Sequence, residues 1–194
     1  MLSEKKGTGF PYLVFLDAEG ELIAAMRGAR NMENLTNTAM TAKENAKLRT
    51  RAAAGDVNAK IDWLSYQIQV GWLAAEDGKA TLAGLGKLDD KQTVRVKDIS
   101  LVIEIVDITS SVARKKMPAE EGESKLLELY NSNRVPKDKH GMRMLLTAVF
   151  NNAYAKKDAK LCEKVLADFS KRAGDDAEMK PIIKSMEDRL KKLG

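Results

Sequence analysis

The sequence predicts a mainly α-helical chain of the α+β class, in which a short N-terminal β-hairpin packs on an antiparallel helical bundle or repeat stack. Long stretches rich in Ala, Lys, Leu and Glu, with only four prolines in 194 residues, favour helix. From residue 31 onward, apolar residues recur at steps of three or four. Two short apolar runs before that point flank a charged turn, which is typical of paired strands.

The hairpin is predicted from residues 12–16 (YLVFL) and 22–26 (LIAAM), which flank the turn DAEGE. A strand that is apolar on both faces belongs between covering layers. Burial of each large side chain contributes about 1.5–3 kcal/mol, so the cover matters for stability. An isolated hairpin cannot supply it. We therefore expect helices or a second copy of the chain to cover these strands.

Three polar residues are predicted to cap helices at their N-termini, namely Asn31, Asp56 and Asp89. The first helix is expected to end before Gly55. The second carries apolar residues at helical spacing up to Trp72 and is expected to reach a turn at residues 76–79 (EDGK). A short helical stretch over residues 80–88 then leads to the third cap.

The segment from Lys91 to about Val106 allows two interpretations. Its residues ISLVIEIVDI are β-branched and partly alternate, which favours a strand. Val96, Ile99 and Val102 also lie on one helical face. We favour helix, and a strand over residues 96–108 stays open.

The C-terminal half is predicted to consist of further helices separated by loops. Breaks or turns are predicted at residues 117–124, 131–141 and 156–158. Helices are predicted at about residues 124–131, 142–154, 159–174 and 177–193. The third of these is expected to be closed by Gly174.

Two segments share one pattern, residues 63–85 and residues 145–169. Each has an apolar first helix, a short polar turn and a second helix bearing Ala and Leu. The pattern resembles the helical hairpin of tetratricopeptide repeats, a unit that stacks on neighbours to bury its apolar face. The consensus Trp, Gly and Pro positions are not all present, so generic packing of two helices stays an alternative.

The first fifty residues carry a second resemblance. Gly9-Phe10-Pro11, the run YLVFLDAEGELI, and Arg27-Gly28 resemble the C-terminal half of a thioredoxin-fold domain. The resemblance implies that Phe10 and Pro11 form a cis-proline loop, with cis and trans both open at Pro11, and that residues 31–50 form a helix on the sheet. We therefore expect a truncated thioredoxin-like unit over residues 1–50 and a helical domain over residues 51–194, for which a repeat-like arrangement stays open.

The chain lacks the redox motif of that family. The Cys-x-x-Cys pair of the family lies upstream of the cis-proline, whereas this chain has one cysteine, Cys162. Two functions follow as expectations. The first is a noncatalytic protein-interaction or scaffold module built from helical hairpins on a thioredoxin-fold remnant. The second is a fragment of a thioredoxin-like thiol-disulfide oxidoreductase whose redox motif lies upstream.

No catalytic residue, metal site or cofactor is predicted. Cys162 is expected to be a buried small side chain, and His140 a solvated residue in a loop. No sequence motif supports a catalytic Cys-His dyad of these two residues. The pairs at residues 89–90 and 175–176, both Asp-Asp, are expected at helix starts. Trp63 and Trp72 are predicted in one helix, one in the core and the other at a possible interaction surface.

Charge and hydropathy limit the partners. The net charge is +5, and basic and acidic residues are interspersed along most of the chain. Interspersed charges are typical of solvated helix faces and disfavour nucleic-acid binding. No apolar run could cross a membrane, and MLSEKKGTG is not a signal peptide, so we expect a soluble chain of unknown compartment. The expected partner is a protein or a second copy, as in a homodimer.

Overall fold

The computed structural model describes residues 13–26 and 29–193. Within them lie two strands and eight helices: β1 Val14–Leu16, β2 Leu22–Ala25, α1 Met32–Ala53, α2 Val57–Gln69, α3 Ala75–Ala83, α4 Asp90–Ala113, α5 Ala119–Asn131, α6 Lys139–Ala155, α7 Ala159–Ala173 and α8 Lys180–Leu190. The prediction of a mainly helical chain with an N-terminal hairpin is confirmed.

The chain divides into two compact units. The first comprises Met1–Leu73 with Ala80–Gln92, and the second comprises Ala74–Lys79 with Thr93–Gly194. The domain boundary expected from sequence, at residue 50, lies within α1.

The hairpin in the first unit is antiparallel and irregular. Val14 pairs with Ala25 and Phe15 with Ala24, but Leu16 pairs with Leu22, so Ile23 is an extra residue that forms a bulge on β2. In the predicted turn, the Asp17 carboxylate accepts a hydrogen bond of 2.7 Å from the backbone N–H of Glu21. Gly20 adopts a φ of +80°, which an L-residue with a Cβ rarely tolerates.

The helices of one chain cover the hairpin only in part. Ile23 and Ala24 are buried against Ala42 of α1. Leu13 and Leu16, however, are each 43% exposed. The helix that packs on this small sheet, α1, contacts β2 more extensively than β1, so the helices of one chain do not supply the expected cover at these two positions. Cover of these positions by a second copy stays a prediction.

The predicted N-terminal caps are confirmed. The side-chain oxygens of Asn31, Asp56 and Asp89 accept backbone N–H groups three residues on, at 2.8, 3.0 and 2.7 Å. Helix α1 ends at Ala53, and Gly55 follows with a φ of +95°. Each cap satisfies a donor that a helix start leaves unpaired, which typically stabilises the helix by about 1 kcal/mol.

Helix α2 is shorter than predicted, and the predicted turn at residues 76–79 is wrong. The helix ends at Gln69, and Gly71 follows with a φ of +69°. Residues 76–79 lie inside α3, with Glu76 and Asp77 in its first turn. Acidic residues there interact favourably with the helix dipole, so these charges start a helix instead of interrupting one. The predicted helical hairpin over residues 63–85 therefore does not have its turn at EDGK.

Helix α4 resolves the ambiguous segment. It is continuous from Asp90 to Ala113, so the helical interpretation is confirmed and the strand over residues 96–108 is wrong. Its five buried residues are linked by helical steps of three or four positions, from Ile99 to Val102 and Ile103, from Val102 to Ile105, and from Ile105 to Ile108. The spacing outweighs the weak preference of β-branched residues for strands.

Glycines allow α4 to approach its neighbours in the second unit. A Cβ at Gly122 of α5 would overlap Cγ2 of Val112, and a Cβ at Gly141 of α6 would lie 2.5 Å from Cγ2 of Val102. The predicted break over residues 117–124 is wrong from Ala119 onward, because α5 begins there. Gly122 therefore serves close helix packing and does not interrupt the helix.

The rest of the second unit follows its predicted pattern. The apolar faces of α6 and α7 form a core whose fully buried members include Leu145, Leu146, Phe150, Val165 and Phe169. The turn at residues 156–158 is confirmed, and Gly174 closes α7. The last helix begins at Lys180, three residues later than predicted. Pro181 has no N–H and is tolerated only in the first helical turn.

An ion pair joins the start of α6 to the segment before α8. Lys139 pairs with the Asp176 carboxylate, which also accepts the backbone N–H of Glu178 at 2.9 Å. The hydrogen bond from Lys139 lowers the pKa of Asp176 below its ordinary value of 3.8, and the same bond raises the pKa of Lys139.

We predict that Gly122→Ala destabilises the chain. The added methyl group meets the stiff, β-branched Val112, and overpacking of this kind costs about 1–3 kcal/mol, more than the roughly 1 kcal/mol that Ala gains over Gly in a helix. Urea unfolding followed by circular dichroism measures the effect. Gly84→Ala is the matched control, because its Cβ would approach nothing closer than 3.6 Å. Equal midpoints for the two variants would contradict the packing role.

We predict that Lys139→Met raises the pKa of Asp176 toward 3.8, though not fully, because backbone N–H groups of Glu178 and Met179 also lower it. The stability that Asp176 contributes is complete above pH 3.8 and is lost as pH falls through its lowered native pKa. The contribution of Lys139 is complete below pH 10.5 and is lost as pH rises through its raised native pKa. Carboxyl chemical shifts in a pH titration report the pKa, with Lys137→Met as control.

Candidate functional site

Two of the four site residues expected from sequence cannot be placed. Phe10 and Pro11, the cis-proline loop implied by resemblance, lie outside the described residues, as does Gly28. Trp63 and Trp72 are described, and both belong to the first unit.

A groove of about 450 Å³ lies beside Trp63. The turn of the hairpin, the C-terminal half of α1 and one residue of α2 form its walls. Its lining residues are Asp17, Ala18, Glu19, Ala46, Arg49, Thr50, Ala52, Ala53 and Trp63. Small side chains make up most of this lining, which leaves room for a side chain of another molecule.

Trp63 is held in place from two sides. Its ring stacks on Tyr66, one helical turn further on, at a centroid distance of 5.6 Å. The guanidinium carbon of Arg49 lies 5.7 Å from the ring centroid, within the range of a cation–π interaction. Arg49 also forms an ion pair with Asp17. One arginine of α1 therefore links the hairpin turn to the tryptophan of α2.

Trp72 occupies a different environment. It lies after the end of α2, so the expectation that both tryptophans share one helix is wrong. Its ring meets Tyr66 edge-on at 5.5 Å, and only 7% of the residue is exposed. Trp63 is half-buried and borders the groove. Of the two tryptophans, a partner can thus reach Trp63 without opening the fold.

The charges at the groove are unequal. Asp17 and Glu19 are acidic, whereas Arg49 is the basic residue of the lining and is paired with Asp17. Glu19 is exposed at the tip of the turn. The groove therefore offers an apolar floor of alanines and a carboxylate at its rim. Such an arrangement suits an apolar side chain that has a lysine or arginine next to it.

Cys162 is buried, as predicted. Its Sγ atom lies 3.9 Å from the carbonyl oxygen of Phe150, and the residue has no exposed surface. Burial raises the pKa of the thiol, and the negative charge of Asp158 raises it further. The thiolate, which is the nucleophilic form, is therefore disfavoured in the folded chain.

The prediction that His140 lies in a loop is wrong, because α6 begins at Lys139 and His140 lies in its first turn. Its Nδ1 atom is 3.4 Å from Nη2 of Arg143. In residues 13–26 and 29–193, no group of three or more His, Cys, Asp or Glu side chains could hold a metal ion.

The paired aspartates differ in their roles. Asp89 caps α4, which Asp90 then begins. Asp176 lies four residues before the start of α8 and is paired with Lys139, and exposed Asp175 lies 3.8 Å from Nζ of Lys180. The expectation that such pairs mark helix starts holds at Asp89 and is only approximate at residues 175–176.

A second, smaller hollow lies in the helical unit among α5, α6 and α7. It has a volume of about 250 Å³ and an apolar floor that includes Leu127, Val149 and Leu161. An ion pair of 2.7 Å between Lys156 and Glu123 spans its rim. The described residues that line this hollow include no aromatic side chain, so the groove beside Trp63 is the stronger candidate.

Comparison with known proteins adds no assignment: no family model matches the chain, and no curated protein or solved structure is significantly similar to it. None of the described helices combines the length and the apolar composition needed to cross a membrane.

Proposed function

We propose that this chain is a noncatalytic protein-interaction module, in which helical hairpins are built onto a remnant of the thioredoxin fold. The groove beside Trp63 receives an apolar side chain of a partner protein, next to a basic residue that meets Glu19. The observation that carries the proposal is the fixation of Trp63 at the wall of an open groove by Tyr66 and Arg49.

The fixed position of Trp63 favours binding for an energetic reason. Ordering a flexible side chain on association costs roughly 0.5–1.5 kcal/mol, and a ring already held by two neighbours avoids most of that cost. Aromatic and arginine side chains are also enriched among residues that dominate binding energy. The stacked helices of the second unit supply further surface, as helical hairpin arrays generally do.

Two variants test the groove. Ala53→Leu places a larger side chain in the groove from the exposed end of α1, and Glu19→Lys reverses the charge at its rim. We expect Ala53→Leu to weaken binding of the partner at least about tenfold, as loss of a central contact typically does. Glu19→Lys is expected to weaken binding less, chiefly by slowing association, because it reverses an exposed charge at the rim. Quantitative affinity capture from cells that produce the protein, followed by titration of the captured partner, measures this.

The matched control is Met40→Thr, which alters a residue of α1 that is 55% exposed and does not line the groove. Circular dichroism verifies that all variants retain the helical content of the parent. A partner that binds the parent, Ala53→Leu and Glu19→Lys with one affinity would disprove the role of the groove.

As a second candidate function, the chain is part of a thioredoxin-like thiol-disulfide oxidoreductase whose redox motif lies upstream of this chain. The hairpin β1–β2 followed by α1 packed on its sheet supports it, because this is the order that the resemblance implies. The discriminating observation is a Cys-x-x-Cys pair in upstream coding sequence.

On either proposal, the chain by itself is expected to show no turnover in an insulin-reduction assay. Its single cysteine cannot form the intramolecular disulfide of the reaction, and burial raises the pKa of that thiol. Thioredoxin is the positive control. Turnover that persists in Cys162→Ala would reveal a contaminant, whereas turnover lost in Cys162→Ala would contradict the prediction.

A further inference from the structure

The outer edge of β1 presents backbone groups away from β2. The carbonyl of Leu13 accepts the N–H of Met26, and the N–H of Asp17 bonds to the carbonyl of Glu21, both at 2.9 Å. Leu13 and Asp17 thus direct backbone groups toward β2. Since successive residues of a strand point these groups to opposite sides, Val14 and Leu16 direct theirs to the outer edge.

The outward backbone groups of β1 and β2 differ in their hydrogen-bond partners. On β2, the outward carbonyl of Ile23 accepts a hydrogen bond of 2.7 Å from the side-chain amide of Asn45, a buried residue of α1. Within residues 13–26 and 29–193, no hydrogen bond recorded in the structure reaches the outward groups of Val14 or Leu16 from a side chain or another segment. In the described part of the chain, the edge of β1 is therefore open at both Val14 and Leu16, whereas α1 covers the edge of β2 at the carbonyl of Ile23.

The side chains along β1 carry none of the features that usually protect a strand edge. Natural edges carry lysine, proline or a bulge that prevents pairing with another chain. The run from Leu13 to Leu16 is LVFL, and the bulge of this hairpin lies on β2. Leu13 and Leu16 are each 43% exposed. This edge is thus both apolar and regular.

We propose that two copies of the chain pair antiparallel through the outer edges of β1, with Phe15 opposite Phe15 of the second copy. In this register Val14 of each copy exchanges both backbone hydrogen bonds with Leu16 of the other, and the two hairpins form a four-stranded sheet. The inference extends the proposed interaction module by naming one partner, and it uses a surface separate from the groove beside Trp63.

The self-complementary apolar character of the edge favours a second copy as the occupant. The contact brings together the apolar side chains of residues 13–16 without opposing like charges, because the register places Asp17 opposite Leu13 and not opposite its own counterpart. The carboxylate of Asp17 is already paired with Arg49 of its own chain. The symmetric arrangement uses the same outward groups on both chains, as a two-fold interface requires.

Sedimentation velocity of the full chain over a concentration series tests the proposal. We expect a monomer–dimer equilibrium that Leu16→Lys weakens at least about tenfold, since it places a charge on each side of an apolar contact. Val14→Pro is expected to do the same by removing an outward N–H while leaving the bonds of Leu13 and Asp17 intact. Leu16→Val is the matched control and is expected to dimerise as the parent does.

Hydrogen exchange locates the contact. The amides of Val14 and Leu16 are expected to exchange more slowly as concentration rises, whereas those of Asp17 and Met26, bonded within the hairpin, keep one rate. A monomer at every concentration, a dimer that Leu16→Lys leaves unchanged, or amides of Val14 and Leu16 insensitive to concentration would each overturn the proposal. Glu19→Lys separates the two surfaces, since it impairs the groove and leaves dimerisation intact.

Discussion

The arrangement of the first unit depends on how one helix, α1, holds the hairpin. Asn45 and Arg49 lie one turn apart and reach the sheet at two points, the carbonyl of Ile23 and the carboxylate of Asp17. Ala42, one turn before Asn45, packs on the buried residues of β2. These contacts fix the turn beside Trp63, which forms one wall of the groove, and they cover the Ile23 carbonyl at the edge of β2, whereas the outward groups of β1 lie open in the described part of the chain. Both proposed surfaces therefore originate from one helix face.

Local signals account for most of the fold that the sequence predicted. The caps at Asn31, Asp56 and Asp89 and the apolar spacing of α4, α6 and α7 depend on residues within one or two turns, which a single sequence displays. Gly122 was misread as part of a break because a glycine in a loop and a glycine at a tight helix contact have the same sequence appearance. Only its proximity to Val112 distinguishes them, and that proximity is a tertiary property.

The candidate site was predictable only in part for the same reason. The tryptophans were recognised as one core and one surface residue, but their assignment depends on where α2 ends, and Gly71 determines that end. The link between Asp17 and Arg49 spans 32 positions and has no local signature. The Asp-x-x-Gly turn did indicate a bend at Asp17, yet nothing in it identified the helix that the carboxylate would meet. The relationship to the thioredoxin fold remains a proposal supported by the order of hairpin and helix.

The burial of the chain's one cysteine has a practical consequence for measuring motion. A thiol reagent in solution can reach Cys162 only when α6 and α7 separate, because its sulfur lies within the core they share. The rate of its alkylation, compared with that of a free thiol, therefore gives the equilibrium constant for opening of this helix pair. The native cysteine therefore serves as a probe of opening in the second unit, and the same reagent reports nothing about the first unit, which contains no cysteine.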